Sequence, residues 1–196
     1  MVPAVGDTLV DSNTLVNIFG APAPLDERAL RHAIVVGADR TFEQDPKYAI
    51  RLLVDIAIRA LSPAVNDPTT AVQALDQIGD LLLRLAKRQL RTELCRDGEG
   101  VLRLVVPSPS WADFLRLSFD EIQTCGAGSV QVMRRMKALM ADLIAAAPDD
   151  RREALRSRQE RLARTIARVF TDRDDQLDAS VEDRQGLGVP RCRPAA

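Results

Sequence analysis

The chain has 196 residues, 46% of them apolar, which suits one compact domain with a small appendage. Aromatic residues make up only 4%, so the core must come mainly from Leu, Ile, Val and Ala, which favours packed helices over a β-sandwich. With 27 Lys and Arg against 28 Asp and Glu and a formal net charge of -1, nothing points to nucleic acid or to an acidic membrane surface as a partner.

Residues 1–20 alternate short apolar runs with Gly6-Asp7 and Asp11-Ser12-Asn13, a strand–turn–strand pattern. The run Ala21-Pro22-Ala23-Pro24 is a stiff linker. A short helix is expected from Leu25 to about Val36, stopped by Gly37 and carrying the chain's only histidine, His32, as a surface residue. Asp45 before Pro46 is a strong helix start: the carboxylate caps an orphan N–H, and Pro sits where its missing N–H costs nothing. That helix should run to about Leu61 and is apolar nearly all round, which predicts burial on most sides.

The break at Ser62-Pro63-Ala64-Val65-Asn66 ends it, and Asp67-Pro68 caps a second helix to about Arg88, giving a helical hairpin. Residues 91–107 suggest a β-hairpin turning at Asp97-Gly98-Glu99-Gly100. Helices follow near 110–125, with Ser110 as cap, and near 129–147 and 150–170. Residues 173–196 are polar, then rich in Gly and Pro, and read as a disordered tail. No basic-then-apolar leader opens the chain, and no run approaches the ~20 apolar residues that cross a bilayer. Cys95, Cys125 and Cys192 have no metal or disulfide spacing, so reduced thiols and a soluble, cytoplasmic chain are expected.

The densest chemistry lies between Arg40 and Ala71. Arg51, Asp55 and Arg59 share one stripe of an otherwise apolar helix. One reading is an ion network that orients the helix, with Asp67, Asp76 or Asp80 supplying further carboxylates. The other is an anion pocket in which two guanidiniums hold a phosphate or carboxylate. Ser62, Asn66, Asp67, Thr69 and Thr70 are either turn and cap residues or a hydroxyl-lined helix start suited to an anion or a hard cation. Arg40, Gln44 and Asp45 form a third small cluster. No dinucleotide, phosphate-loop, zinc-protease or serine-hydrolase motif occurs. The many arginines of the last long helix are interleaved with acids, as on a solvated face.

The central block resembles an uncharacterised family of predicted bacterial membrane proteins, domain-of-unknown-function family 2254. The resemblance rests on Arg40-Thr41-Phe42, Gln44-Asp45-Pro46, Arg51, Leu53 to Ala57, Arg59-Ala60-Leu61-Ser62-Pro63 and Asn66-Asp67-Pro68-Thr69-Thr70-Ala71. It continues through Leu75-Asp76 and Gly79-Asp80-Leu81, with weaker likeness at Gly6-Asp7, Leu15 and Phe119-Asp120-Glu121-Ile122. It implies the soluble region of a longer protein with membrane-spanning helices. It carries over no activity, cofactor or catalytic residue.

The expectation is therefore a mainly α fold: a helical bundle around a central Asp-Pro-capped hairpin, with two minor β-hairpins. Residues 1–20 form a small β segment and 25–172 the helical domain. The leading function is a non-enzymatic regulatory or assembly module of a membrane protein, with self-association as a partner mode and no cofactor. The alternative is a small-anion or metal-dependent ligand-binding or catalytic domain using the junction of Arg51, Asp55 and Arg59 with Asn66, Asp67, Thr69 and Thr70.

Overall fold

The computed structural model describes residues 1–20, 26–43, 45–90 and 92–188. They fall into two units, one from Met1–Tyr48 and Arg91–Pro109, the other from Ala49–Leu90 and Ser110–Ala196. The fold is mainly α, with a single two-stranded sheet among the described residues.

In the first unit, Asp26 starts α1 (Glu27–His32) by accepting from Arg28 N and Ala29 N. The helix is shorter than expected: Ile34, Val35 and Val36, whose branched side chains crowd a helical turn, lie beyond it. His32 is exposed. The expected hairpin over 93–106 is present. β1 (Glu93–Arg96) pairs antiparallel with β2 (Leu102–Val106), and the register slips between Cys95 and Arg96. Asp97 closes the turn by accepting from Glu99 N and Val101 N, and the Arg103 guanidinium beside it, foremost, holds its carboxyl below the usual range.

The second expected β-hairpin, in residues 1–20, does not form. Its turns exist, but the side chains of Asp7 and Asn13 take the N–H groups of Ala4 and Val10 at 2.8 Å. Pro3 has no N–H to give. Only Val2 N to Leu15 O, 2.9 Å, links the two runs across.

In the second unit both Asp-Pro helices form: α2 (Pro46–Ala60), whose first turn belongs to the other unit, and α3 (Pro68–Ala86). α4 (Trp111–Cys125) begins with a reciprocal box in which Ser110 and Asp113 each bond the other's backbone. α5 (Val130–Ala146) and α6 (Asp149–Val169) follow. α5 is the hub, packing on α3, on α6 and on α7 (Arg173–Ala179), while α4 lies against α3 and α6.

Met133, Met136, Met140 and Leu143 of α5 are fully buried, along with Leu75, Ile78 and Leu82 of α3 and Phe114, Phe119 and Ile122 of α4. Gly79 permits the α3–α5 approach, since a Cβ there would stand 2.5 Å from Leu139 Cδ1. α2 is not buried all round. It buries Ile50, Val54, Ala57 and Ala60 on one face, while Leu52 and Ile56 are 40% and 46% exposed.

The expectation of disorder from residue 173 is corrected over 173–188. Asp172 caps α7 through Asp174 N and Asp175 N. Beyond the helix, the buried Asp183 carboxylate gathers the N–H groups of Gln185, Gly186 and Gly188 at 2.7–3.0 Å. α5 supplies the anchors: Arg134 donates to Asp178 O and Gly188 O, Lys137 to Ser180 O and Gln131 to Gly186 O. Composition missed this because the segment binds with backbone carbonyls, which carry no sequence signature. Residues 189–196, with Cys192, lie outside the described residues, as do the Ala21–Pro24 linker and Gln44.

Asp183→Ala should lower stability by roughly 1–3 kcal/mol, the cost of orphaning buried N–H groups. Chemical denaturation measures the loss, and amide exchange at Gly186 and Gly188 should speed up selectively.

Candidate functional site

The polar stripe of α2 divides into two parts. Arg51 Nε donates to Asp55 Oδ1 at 2.7 Å, and its terminal nitrogens reach Glu121 on α4, one of them at 3.1 Å from Oε2. The guanidinium is thus shared between two carboxylates, which raise its pKa further above the ordinary arginine value, Glu121 most and Asp55 next. An arginine so occupied braces α2 against α4 and offers little to an incoming anion.

The sequence suggested carboxylates from the following helix as partners. They are engaged elsewhere: Asp76 with Arg135 on α5 at 2.5 Å, Asp80 with Arg84 at 2.9 Å, and Asp67 with its own helix start. Glu121 was visible only as part of the weak likeness at Phe119-Asp120-Glu121-Ile122. Its neighbour Asp120 receives Arg158 and, at 3.3 Å, Arg161 of α6. Burial foremost, and then Arg161 and Arg116, push the pKa of Arg158 down.

Arg59 differs. Among the described residues it has neither a hydrogen bond nor an ion pair, and it is exposed at the C-terminal end of α2. It lines an open cavity of about 570 Å³ with Asp55, Ile58, Leu61, Ser62, Pro63 and the exposed free thiol of Cys125. The turn beneath is closed by its own backbone: Ser62 O accepts from Val65 N and Asn66 N, and Asp67 N donates to Ala60 O at 2.8 Å. Asn66 holds a left-handed φ of 47°, a conformation its residue type tolerates. The cavity wall thus carries the Arg59 guanidinium, the Ser62 hydroxyl and the Asp55 carboxylate, which Arg51 already holds.

Asp67 acts as a cap. Oδ1 accepts from Thr70 N at 3.1 Å and Oδ2 from Thr70 Oγ1 at 2.5 Å. The Thr70 hydroxyl, foremost, and the Thr70 N–H hold the carboxyl below its usual pKa, against a smaller opposing effect of burial. Thr69 is exposed, its hydroxyl 3.5 Å from Gln131 Nε2. In the other unit, Arg40 stacks on Tyr48 with Cζ 5.9 Å from the ring centre, and Asp45 Oδ1 accepts from Lys47 N at 3.0 Å. Among the described residues no group of three or more His, Cys, Asp and Glu is placed to hold a metal.

The arginines of α6 also have work that the sequence did not disclose. Arg151 donates to Leu85 O and Arg88 O at the end of α3, and stacks on Trp111 at 5.4 Å. Arg152 donates to Ala147 O, just past the end of α5.

Asp67→Asn removes a carboxylate whose folded pKa lies below the unfolded 3.8. Such a group stabilises fully above the unfolded value, and its contribution fades as pH falls through the folded one. The variant should melt lower at neutral pH and converge on the parent in strong acid, as thermal melts across pH will check.

The description of the family whose model matches residues 1–142 is "Predicted membrane protein (DUF2254)". Uncharacterized proteins of Mycobacterium tuberculosis and Mycobacterium bovis are 35% identical over 159 residues, covering 80% of this chain. The chain spans about 30% of the length of these relatives. No solved structure matches. Among the described residues no helix is long and apolar enough to cross a membrane. The chain belongs to the DUF2254 family of predicted membrane proteins.

Proposed function

We propose that this chain is an assembly module of a larger membrane protein and that it associates with a second copy of itself through the outer face of α2. The observation that carries this reading is the exposure of Leu52 and Ile56, one turn apart on a helix whose opposite face is fully buried. Two large aliphatic groups stacked at i, i+4 form a continuous apolar strip, and a strip of this kind is self-complementary about a two-fold axis. Arg59 extends the same stripe with a charge that has no ion-pair partner among the described residues, which sets direction along it. The length of the relatives supplies the context, since most of each lies outside the matched segment.

Sedimentation over a range of concentrations tests the proposal. The parent chain should dimerise, and Ile56→Lys should shift it to monomer without changing its helical content. A parent that stays monomeric at every concentration rules the reading out.

A second reading rests on Arg59: its guanidinium, without a partner among the described residues, and Ser62 form a site for a small oxyanion such as phosphate. Phosphate should then raise the melting temperature saturably, and Arg59→Ala should abolish the shift. Arg51→Ala cannot serve as the control, because it also unties α2 from α4.

A further inference from the structure

We infer that Arg59 of each chain pairs with Asp55 of a second copy, so that two α2 helices associate antiparallel about a two-fold axis at Ile56. The inference rests on the α2 association proposed above and names the contact that fixes its direction and register.

The charges on the outer side of α2 are unbalanced in a self-complementary way. One guanidinium, that of Arg51, serves two carboxylates, those of Asp55 and Glu121. The cluster therefore carries one negative charge in excess. Both carboxylates stay open to water, with side chains 42% and 52% exposed. Arg51 reaches Asp55 through Oδ1 alone, and Oδ2 accepts no hydrogen bond among the described residues. Arg59, one turn further on, is exposed and has no ion pair among the described residues, although its spacing would let it meet Asp55 of its own helix. Each chain thus offers a carboxylate with an open oxygen and a cation without a partner. Both stand on the wall of one open cavity.

Helix geometry decides how two copies exchange them. A two-fold axis at Ile56 brings residues that follow Ile56 in one helix level with residues that precede it in the other. Arg59 stands three residues after Ile56 and Asp55 one residue before it. The two therefore lie about 3 Å apart along the helix axis, at a rise of ~1.5 Å per residue. At about 100° of turn per residue, both fall on the same flank of the Leu52–Ile56 strip. An axis perpendicular to both helices keeps them on that flank in both copies, and the long arginine stem spans the remaining gap. Leu52 of the second copy comes level with that stem and lies against it. Ile56 meets its own symmetry mate. A parallel pair puts the charged flanks on opposite sides and leaves both arginines without a carboxylate, so charge complementarity selects the antiparallel arrangement.

The test measures dimer dissociation constants by sedimentation of the full chain. It compares the parent, Arg59→Glu, Asp55→Lys and an equal mixture of the two variants. Each variant alone sets like charges together twice and should dimerise at least about tenfold more weakly than the parent. In the mixed pair both contacts join opposite charges, so association should recover towards the parent's. Asp55 also holds Arg51, and Asp55→Lys is checked for helical content. Should it fail to fold, salt decides: rising sodium chloride should loosen the parent dimer and tighten that of Arg59→Glu, where it screens repulsion.

A parent that stays monomeric removes the α2 reading and this contact with it. A parent dimer that Ile56→Lys disrupts but Arg59→Glu leaves unchanged overturns this inference alone. So does a mixture that associates no better than its components, or a salt dependence of the same sign in the parent and Arg59→Glu.

Discussion

A helix end cannot be buried with its backbone groups unmet, and this constraint organises the helical unit. Four N-termini are met by short side chains, Asp67 for α3, Ser110 for α4, Ser129 for α5 and Asp172 for α7, while α6 begins after Pro148 without one. The C-termini are met by long cationic ones from other helices. Arg151 serves α3, Arg152 serves α5, and Arg134 reaches Asp178 O in α7. The basic character of α6 thus has a structural use. Arg151 and Arg152 are donors placed where carbonyls emerge, while Arg158 and Arg161 hold Asp120 of α4.

Two of these caps were legible in the sequence because each acts within three residues of itself, whereas Asp172 starts a helix in a stretch whose composition reads as disordered. Asp67-Pro68 and Ser110 announced their helices before any fold was known. The ion pairs were not, because their partners are distant: Glu121 lies 70 positions from Arg51, and Asp76 lies 59 from Arg135. Helical spacing places Arg51 and Asp55 together but is silent on which neighbouring helix faces them. The apolar pattern misled in the same way. α2 is richer in large aliphatics than its buried face can use, and only packing shows which stripe is left outside. In residues 1–20 the turn signals were right, but the strand inference failed because the same Asp and Asn side chains took the N–H groups that a ladder needs.

The two Asp-Pro pairs carry one local signal and end in opposite environments. Asp67 has both oxygens satisfied by Thr70 and belongs to the surface turn between α2 and α3. Asp45 follows Gln44 rather than Asn66, is sealed under Gly6, and its Oδ2 has no hydrogen-bond partner among the described residues. Capping explains the first completely and the second by half. The distinction comes from a glycine nearly forty positions upstream, beyond any local reading of the motif. It separates a cap on a surface turn from a cap buried beneath a glycine.

The anchoring of residues 178–188 on α5 has a consequence for the order in which the fold can be completed. A chain leaves the ribosome from its N-terminus, so α5 emerges well before the carbonyls that Arg134, Lys137 and Gln131 will hold. Until then Arg134 has no buried acceptor, and the face of α5 that carries it must remain in water. Residues 178–188 therefore act as a latch on α5. Ribosome-bound chains shorter than this segment are left with a wetted, unfinished hub.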